Sequence, residues 1–385
     1  MPPVYREGME RTMIKRRASR PIQIGNVQVG GGAPVSVQSM TKTDTRDVRA
    51  TVGQIRELEG VGCEIIRVAV PDMEAARALS DIKRQIRIPL IADIHFDYRL
   101  ALEAIAQGVD GLRLNPGNIR EEDKVRLIVA RARERQIPIR IGVNFGSLPP
   151  VGRIGKAGGA SRVADGVNRL AKAGEAPEGE YTVVDHMVDT ALWEVRVLED
   201  MDFDLIKLSL KAFDVPTCVE AYRRIAGLVP YPLHVGITEA GTVRAGSIRN
   251  AVGIGILLYE GIGDTIRVSL NGPPQDEVIA GFEILKSLDL RQKGVTLIAC
   301  PTCGRADVDV RALAAQVEEL LARMDRPIKV AVMGCEVNGP GEAKDADVGI
   351  AAGVGRGVIF RKGQKVRIVP ESEMLSALME EIAKV

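Results

Sequence analysis

Short apolar runs, each followed by a stretch with helical spacing, repeat along the first three quarters of the chain. Eight runs rich in Val, Ile and Leu predict strands at Val35–Met40, Cys63–Val70, Pro89–Phe96, Gly111–Gly117, Ile137–Gly146, Asp204–Lys211, Pro232–Gly241 and Asp264–Gly272. Helical patterns lie between them, such as Thr45–Glu59, Met73–Gln85, Tyr98–Gln107, Glu121–Arg135 and Thr217–Ala226. This alternation is typical of βαβ units around a parallel sheet.

Eight βαβ units over about 250 residues match the size of a (β/α)8 TIM-like barrel. The alternative is a doubly wound open sheet, which normally carries a Gly-rich phosphate turn after its first strand. Here the first strand is followed by Thr41-Lys-Thr-Asp44 instead. The pattern therefore favours the barrel, and an α/β fold class.

The pattern changes after Leu290. Strands predicted at Gly294–Ala299 and Ile328–Met333 each lead into a cysteine, and short strands and a C-terminal helix follow. We therefore expect a flexible N-terminus over residues 1–20, the barrel over 21–290 and a small α+β domain over 291–385. The spacing between the fifth and sixth barrel strands is unusually long, which indicates an insertion at about 147–180. It follows a strand, so it emerges at the carboxyl-terminal face as a lid or a tolerated surface insertion.

Composition excludes several classes of protein. Among 385 residues, 52 Lys and Arg nearly balance 51 Asp and Glu, and aromatic residues make up 3%, so the sequence favours neither nucleic-acid nor anionic-membrane binding. No apolar run approaches the length of a membrane span. The five cysteines are clustered rather than spread, which is typical of a reducing compartment, and we expect a cytoplasmic protein.

Polar and charged residues interrupt the predicted barrel strands near their carboxyl ends, where buried parallel strands are normally apolar. They are Arg67, Asp93, His95, Arg113, Asn115, Arg140, Asn144, Lys207, Ser209, His234, Glu239, Arg267 and Ser269. Several are spaced by two and so share one face of a strand. Buried cations that outnumber carboxylates need an anion, and Arg suits phosphate. The sequence predicts a small phosphorylated or diphosphate substrate at this end of the barrel.

Three cysteines in the C-terminal region have the spacing of metal ligands. Cys300-Pro-Thr-Cys303 allows two thiolates to reach one centre, and Cys335 follows 32 residues later. No histidine follows His234, so this region alone cannot complete a Cys3His zinc site. Three thiolates suit an iron–sulfur cluster whose fourth iron has a weaker ligand. Glu342, which follows a Gly-Pro-Gly turn after Cys335, is a candidate for this ligand, and the spacing leaves Asp345, Asp347 or water open.

These motifs together resemble one enzyme family. Ile298-Ala-Cys-Pro-Thr-Cys-Gly304, Gly334-Cys-Glu-Val-Asn-Gly-Pro-Gly-Glu342, Gly236-Ile-Thr-Glu-Ala-Gly241 and Gly263-Asp-Thr-Ile-Arg-Val-Ser269 are similar to the bacterial 4-hydroxy-3-methylbut-2-enyl diphosphate synthases. The likeness runs from about residue 20 to the C-terminus. It is weakest over Ser147–Glu180, and no role is transferred to that segment.

The resemblance implies a [4Fe–4S] cluster held by Cys300, Cys303, Cys335 and Glu342. It implies reductive ring opening of 2-C-methyl-D-erythritol 2,4-cyclodiphosphate with two electrons and loss of water, in isoprenoid precursor synthesis. Substrate-binding residues by similarity are Arg67, Arg113, Arg140, Asn144, Lys207, His234, Arg267 and Ser269. Glu239 is the implied proton donor, ahead of Asp93 or His95. The resemblance also implies flavodoxin or ferredoxin as electron donor, and a homodimer in which one chain's cluster domain caps the other's barrel.

Two other interpretations remain. A TIM-barrel enzyme could act without redox chemistry on a phosphorylated metabolite and carry only a structural zinc or iron site. An iron–sulfur regulator could use the basic residues near the N-terminus to bind nucleic acid, but this leaves the strand-end cations unexplained.

Overall fold

In the computed structural model, the chain separates after Leu290 into two units, Met1–Leu290 and Arg291–Val385. The structure describes residues 14–119, 121–149, 181–303, 308–321, 324–335, 341 and 343–385. The greater part of the predicted insertion, together with Glu342, lies outside the described residues.

The described part of the first unit is built on ten strands. They are β1 (Ile22–Ile24), β2 (Val27–Val29), β3 (Ser36–Met40), β4 (Ile65–Ala69), β5 (Leu90–Asp93), β6 (Gly111–Arg113), β7 (Ile139–Asn144), β8 (Ile206–Lys211), β9 (His234–Val235) and β10 (Thr265–Ile266). Strands β3 to β10 form one parallel sheet in the order β8-β7-β6-β5-β4-β3-β10-β9. A bridge between Leu208 and Leu233 joins its two ends. The prediction of a TIM-like barrel is therefore confirmed.

Among the described residues, eight α-helices accompany this sheet. They are α1 (Val48–Gly60), α2 (Met73–Lys83), α3 (Tyr98–Ala106), α4 (Glu122–Glu134), α5 (Val183–Glu199), α6 (Val215–Leu228), α7 (Val243–Tyr259) and α8 (Pro274–Ser287). Four of them begin at an aspartate whose carboxylate accepts a first-turn N–H: Asp47, Asp72, Asp97 and Asp214. These caps satisfy backbone donors that have no partner within the helix. In the described part of the chain, no helix is long and apolar enough to cross a membrane.

Strand alternation separates an apolar layer from a polar one. In β7, Ile139, Ile141 and Val143 belong to the large core that includes the helices, whereas the intervening residues are Arg140, Gly142 and Asn144. Successive residues of a strand point to opposite faces, so the polar set faces the barrel interior. Strand β8 repeats this pattern, with apolar residues at 206, 208 and 210 alternating with Lys207, Ser209 and Lys211.

A hairpin of β1 and β2 supplies an apolar layer at the opposite end. Its residues Ile22, Ile24 and Val29 pack with Ile65 and Ile91, which lie near the amino ends of β4 and β5. The sequence analysis missed this hairpin. Its signal was present, because a Gly-Asn pair at 25–26 separates two alternating apolar triplets, which is typical of a two-residue hairpin turn.

The segment before the hairpin is tied to the barrel. Arg17 donates to the carbonyls of Ala226 and Tyr231 at 2.8 and 3.1 Å, and also to that of Val229. Arg16 pairs with the buried Asp264 at 3.1 Å. The expectation of a flexible terminus is therefore wrong for residues 14–20, and residues 1–13 lie outside the described part. These basic side chains bind within the chain, because they donate hydrogen bonds to carbonyl groups next to β9 and β10.

The second unit is a five-stranded mixed sheet with helices. Its elements are β11 (Thr296–Ala299), α9 (Val310–Leu321), β12 (Lys329–Met333), β13 (Val348–Gly353), β14 (Arg356–Arg361), β15 (Gln364–Pro370) and α10 (Met374–Ile382). The strands follow the sheet in chain order, with β11, β12 and β13 parallel and the last two pairings antiparallel. The predicted α+β architecture is confirmed.

One buried carboxyl group joins helix α5 to the loop after β6. Glu194 is 2% exposed, and it accepts the N–H of Gly117 at 2.7 Å. Burial raises the pKa of Glu194 to about 8, although the Gly117 hydrogen bond opposes the shift. The folded state therefore holds a proton at neutral pH that the unfolded state releases.

The Glu194→Gln variant tests this coupling. The folded pKa lies above the unfolded one, so this group's contribution to stability is complete below about pH 4.5 and is lost as the pH rises through about 8. Because Gln keeps an acceptor for Gly117 and does not ionise, the variant should lose less stability than the wild type over this range. Chemical denaturation at both ends of the range measures the difference. The control Glu122→Gln, at an exposed position, should keep the wild-type slope.

Candidate active site

Charged residues form a continuous row across four neighbouring strands. Strand register places Asp93 beside Arg113, Arg113 beside Arg140, and Arg140 beside Lys207. All four are at most 5% exposed. Three cations therefore lie at one level of the barrel wall with a single carboxylate at the end of their row.

A cavity of about 100 Å³ opens among the carboxyl ends of the strands. It is lined by Arg67, Asp93, His95, Arg113, Arg140, Gly142, Asn144, Ser209, Lys211, Thr238, Arg267 and Ser269. Six of the eight predicted substrate-binding residues are in this set. Four arginines and Lys211 face one carboxylate in the lining, so the cavity is positive. Burial, followed by Arg267 and the other cations, lowers the pKa of Lys211 well below its ordinary value. Such a site is suited to a ligand with several negative charges.

Arg113 is held firmly in this wall. Its Nη1 lies 3.4 Å from Asp93 and donates to His95 Nδ1 at 3.2 Å, and its Nη2 donates to the carbonyl of Gly142 at 3.0 Å. A Cβ at Gly142 would lie 2.7 Å from the Arg113 Nε, so this guanidinium fits only beside a glycine. Burial alone would raise the pKa of Asp93, but Arg67 and Arg113 outweigh it and hold the pKa below its ordinary value.

The cations of this wall are only partly compensated among the described residues. Lys207 is 1% exposed and its Nζ makes no hydrogen bond. The Arg140 Nε also makes none, although its Nη1 donates to Ser209 at 3.0 Å, and the Arg67 Nε has only the Asp93 carboxylate at 3.6 Å. Burial, followed by the neighbouring cations, lowers the pKa of Lys207 well below its ordinary value, and burial lowers that of Arg67 to about 10. Unpaired buried charge is costly, which indicates that the wall is built to receive an anion.

His234 and Lys207 differ from the other predicted binding residues, because neither lines the cavity. His234 is fully buried on β9, and both of its ring nitrogens are without a hydrogen-bond partner in the described structure. Burial and nearby cations lower its pKa well below the ordinary value, so the ring is neutral. These two residues lie behind the lining rather than in it.

Arg267 is positioned by a buried carboxylate that the sequence analysis did not identify. Glu277, on α8, is 2% exposed and lies 3.6 Å from Arg267 Nη2 and 3.6 Å from Lys42 Nζ. It also accepts the N–H of Leu270 at 3.1 Å. Glu277 therefore fixes Arg267 from behind and leaves the charge of the lining positive.

Lys211 and Thr238 also line the cavity and were missed. The signal for Lys211 was its place two residues beyond Ser209, which puts it on the same strand face as Lys207. A Cβ at Gly236 would lie 2.8 Å from Lys211 Nζ and 2.3 Å from the Arg267 carbonyl oxygen. The glycine at 236 thus leaves room for the lysine head group.

Glu239 lies beyond the end of β9 and is exposed. It is not among the described residues that line the cavity, although its neighbour Thr238 is. Its φ of 53° places the backbone in the left-handed region, which is uncommon for a residue with a Cβ. Such strain is frequent at functional positions, where the surroundings hold the backbone in place.

A larger cavity of about 640 Å³ shares Asn144 with the cationic one. Its charged lining residues are Lys124 and the acids Asp97, Glu121 and Glu194. Carboxyl groups outnumber cations there, so the anion-binding site is the smaller cavity.

The predicted metal ligands lie in the second unit, at the carboxyl edge of its sheet. Cys300 follows β11 and Cys335 comes two residues after β12, and these strands are parallel neighbours in which Ala299 pairs with Val332. Both thiols are half-buried, whereas Cys303 is exposed. Thr302, between the two cysteines of the motif, has a φ of 61°, so this turn is strained. Among the described residues, no three Cys, His, Asp or Glu side chains are close enough to hold a metal.

The Lys207→Met variant tests whether the cationic side chains of the barrel wall form a binding site for an anion. Removing a buried amine that has no hydrogen-bond partner should raise the Tm of the ligand-free protein by about 5 °C. The same change should remove most of the Tm increase that inorganic pyrophosphate gives the wild type, because bound ligand stabilises the folded state. Thermal unfolding with and without pyrophosphate measures both effects. Lys365→Met, at an exposed position, should change neither, and equal pyrophosphate responses in all three proteins would contradict the prediction.

The chain has close relatives over almost its whole length. It is 58% identical over 371 residues to "4-hydroxy-3-methylbut-2-en-1-yl diphosphate synthase (flavodoxin)" of Dehalococcoides mccartyi, covering 96% of this chain and 99% of the relative. The protein of the same name in Geobacter sulfurreducens is 56% identical over 367 residues, with 95% and 98% covered. That of Caldanaerobacter subterraneus is 52% identical over 373 residues, with 97% and 99% covered.

Among solved structures, the dihydropteroate synthase of Stenotrophomonas maltophilia is similar in fold alone. It matches with a TM-score of 0.50 and 13% identity, over 70% of this chain and 97% of its own. The likeness supports the barrel and says nothing of the ligand.

Two family models divide the chain as the fold does. The GcpE TIM-barrel domain matches residues 19–282, and the GcpE protein C-terminal domain matches residues 296–384. Together with the relatives, these matches confirm the family that the motifs predicted. The chain belongs to the GcpE family, and its relatives described above are named 4-hydroxy-3-methylbut-2-en-1-yl diphosphate synthases.

Proposed function

We propose that this protein is an oxidoreductase that opens the ring of 2-C-methyl-D-erythritol 2,4-cyclodiphosphate to give 4-hydroxy-3-methylbut-2-enyl diphosphate. The reaction consumes two electrons and two protons and releases one water. The observation that carries the proposal is the cationic cavity, in which five Lys and Arg side chains face one carboxylate at the strand ends. The name of the 58% identical relative, a 4-hydroxy-3-methylbut-2-en-1-yl diphosphate synthase, supports the same reaction.

The diphosphate is the group that this cavity fits. Arg67, Arg113, Arg140 and Arg267 present guanidinium groups suited to paired phosphate oxygens, and Lys211 adds a point charge. Asn144 and Ser269 supply neutral polar groups in the same lining. Lys207 and His234 lie behind the residues that line the cavity. There Lys207 adds positive potential, and the neutral ring of His234 fills space between cations.

Glu239 is the proposed proton donor to the departing hydroxyl group. Its position beyond the end of β9, next to Thr238 of the lining, favours this role. The left-handed backbone conformation at Glu239 fixes the position of its Cβ. Asp93 is a weaker candidate, because Arg67 and Arg113 keep its pKa low and the carboxyl group therefore ionised. His95 is engaged by Arg113 at 3.2 Å.

A [4Fe–4S] cluster is the proposed cofactor. Cys300, Cys303 and Cys335 would hold it, with Glu342 as the fourth ligand. The donor chemistry fits, since two half-buried thiols lie at the ends of neighbouring parallel strands and the third follows in a strained two-residue turn. When bound, the cluster supplies electrons one at a time. The barrel residues bind and orient the diphosphate and supply a proton.

The electron donor is flavodoxin or ferredoxin, and the relatives' printed names favour flavodoxin. The proposed assembly is a homodimer in which the second unit of one chain covers the barrel of the other. The proposed location is the cytoplasm, where the thiols stay reduced.

Cys300→Ser tests the cofactor. Protein purified without oxygen should contain about four irons and four sulfides per chain and be brown, and the serine variant should lose most of both. The control is Cys63→Ser, because Cys63 is buried in the barrel and its Sγ donates to the Ile65 carbonyl, a bond that a hydroxyl can replace. Zinc without sulfide in wild-type protein, even after anaerobic reconstitution, would instead support a structural metal site and exclude the redox reaction.

Arg140→Ala and Glu239→Gln separate binding from proton transfer. Loss of the Arg140 guanidinium should raise the substrate Kd about tenfold or more, because a charged hydrogen bond usually contributes at least this much to binding free energy. Glu239→Gln should leave the Kd near the wild-type value and lower kcat about a hundredfold or more. Calorimetric titration and anaerobic turnover with reduced flavodoxin distinguish the two. Arg131→Ala, on the outer surface of α4, should affect neither quantity, and full turnover by Glu239→Gln would reassign the proton donor.

A further inference from the structure

The larger cavity beside the cationic one has the size and lining of a second small-molecule site. Its volume of about 640 Å³ lies within the range of about 300–1,000 Å³ that small-molecule pockets occupy. Phe96, Tyr98 and Trp193 supply aromatic surface, and Ile119 and Leu148 add aliphatic surface. A lining of aromatic residues with a few polar groups is suited to a ligand that has a flat ring.

The charge of this cavity is opposite to that of its neighbour. Among the described lining residues, three carboxyl groups lie opposite one cation, Lys124. Lys124 and Asp97 are each paired outside the lining, with Asp123 at 3.3 Å and Arg99 at 2.7 Å. The other two acids are the exposed Glu121 and the buried Glu194. The smaller cavity is therefore suited to an anion, and the larger one to a cation or a base.

Glu194 presents an oxygen without a partner to this cavity. Its side chain is buried in the cavity wall, and Oε2 accepts the N–H of Gly117 at 2.7 Å. Among the described residues Glu194 makes no other hydrogen bond, so Oε1 is left for a ligand. A Cβ at Gly117 would lie 2.8 Å from Oε1 and 2.2 Å from the Trp193 ring, so both groups fit only beside a glycine.

The proton of Glu194 determines which ligand this oxygen suits. Burial raises the pKa of the carboxyl group to about 8, although the Gly117 hydrogen bond and Arg113 oppose the shift. Since Oε2 accepts a hydrogen bond, the proton belongs on Oε1, where it faces the cavity. A basic nitrogen in the cavity takes up this proton, whereas a permanently cationic nitrogen displaces it to solvent. Either way, a charged hydrogen bond forms away from bulk water, where it is strongest.

We propose that the larger cavity binds a small aromatic base, with its nitrogen on the Glu194 carboxyl group and its ring beside Trp193. The ligand class is an amine or amidine attached to a flat ring. This site is additional to the proposed function, and its lining shares only Asn144 with that of the diphosphate cavity. It does not depend on the cluster, so iron content and turnover test the proposed reaction separately.

Benzamidine and benzamide test the proposal on the full-length protein. The two probes have the same shape, but only benzamidine is charged. Trp193 is the single tryptophan of the chain, so a saturable change in tryptophan fluorescence reports binding beside it. Benzamidine should bind about tenfold or more tightly than benzamide, because only the amidinium forms a charged hydrogen bond. Equal binding of the two probes, or no saturable signal with benzamidine at millimolar concentration, would overturn the proposal.

Glu194→Gln identifies the group that the nitrogen contacts. Calorimetric titration near pH 7, in two buffers of different ionisation enthalpy, should show about one proton released per benzamidine bound to the wild type, because the Glu194 carboxyl group ionises. The variant should release none and bind benzamidine about tenfold or more weakly. Circular dichroism checks its fold.

The matched control is Glu199→Gln. Glu199 is the last residue of α5, is exposed and lies outside the cavity lining, and glutamine keeps an acceptor for the Tyr231 hydroxyl group. This variant should keep the wild-type affinity and proton release. Binding to the wild type without proton release, or with the same affinity in Glu194→Gln, would refute the contact with Glu194.

Discussion

The structure depends on the burial of positive charge that its own carboxylates do not balance. Arg113, Arg140 and Lys207 lie side by side in the barrel wall, and only Asp93 continues their row. Such an arrangement opposes folding, because each desolvated cation costs several kcal/mol without a partner. The apolar shell between strands and helices, and the hairpin that fills the amino-terminal end, must offset this cost. The packed wall also makes the site rigid, because it holds the guanidinium groups in place before an anion binds.

The two units hold different chemical groups in different surroundings. In the barrel, charge is held in a packed wall, and glycines at 142 and 236 leave room for cationic groups that a Cβ would displace. In the second unit, thiols lie at the edge of a small sheet, half-buried or exposed, where soft ligands can reach an inorganic centre. Electrostatic recognition needs exclusion of water, whereas the proposed cluster would need access for its assembly and for electron delivery. A division into two units allows both within one chain.

The alternation of apolar runs with helical patterns made most of this architecture predictable. The apolar runs marked all eight barrel strands, and the polar residues near their carboxyl ends marked the site. The predicted strands were too long, as at 232–241, where only His234–Val235 is a strand. Beyond that point the chain stays apolar but leaves the sheet to carry Thr238 and Glu239. Glu277 could not be identified from its sequence position. Its role depends on its contact with Arg267, which only the three-dimensional structure shows.

The tie between the first described residues and the last strands of the barrel has a consequence for synthesis on the ribosome. Arg16 binds Asp264 across 248 positions of sequence, beside two strands of only two residues each. At the usual pace of translation, on the order of ten to fifty seconds separate the emergence of the two partners. During that interval the early strands exist as an open sheet with an unpaired edge. Until the last strands emerge, native packing does not cover this edge, and the nascent chain is exposed to edge-to-edge association with its neighbours.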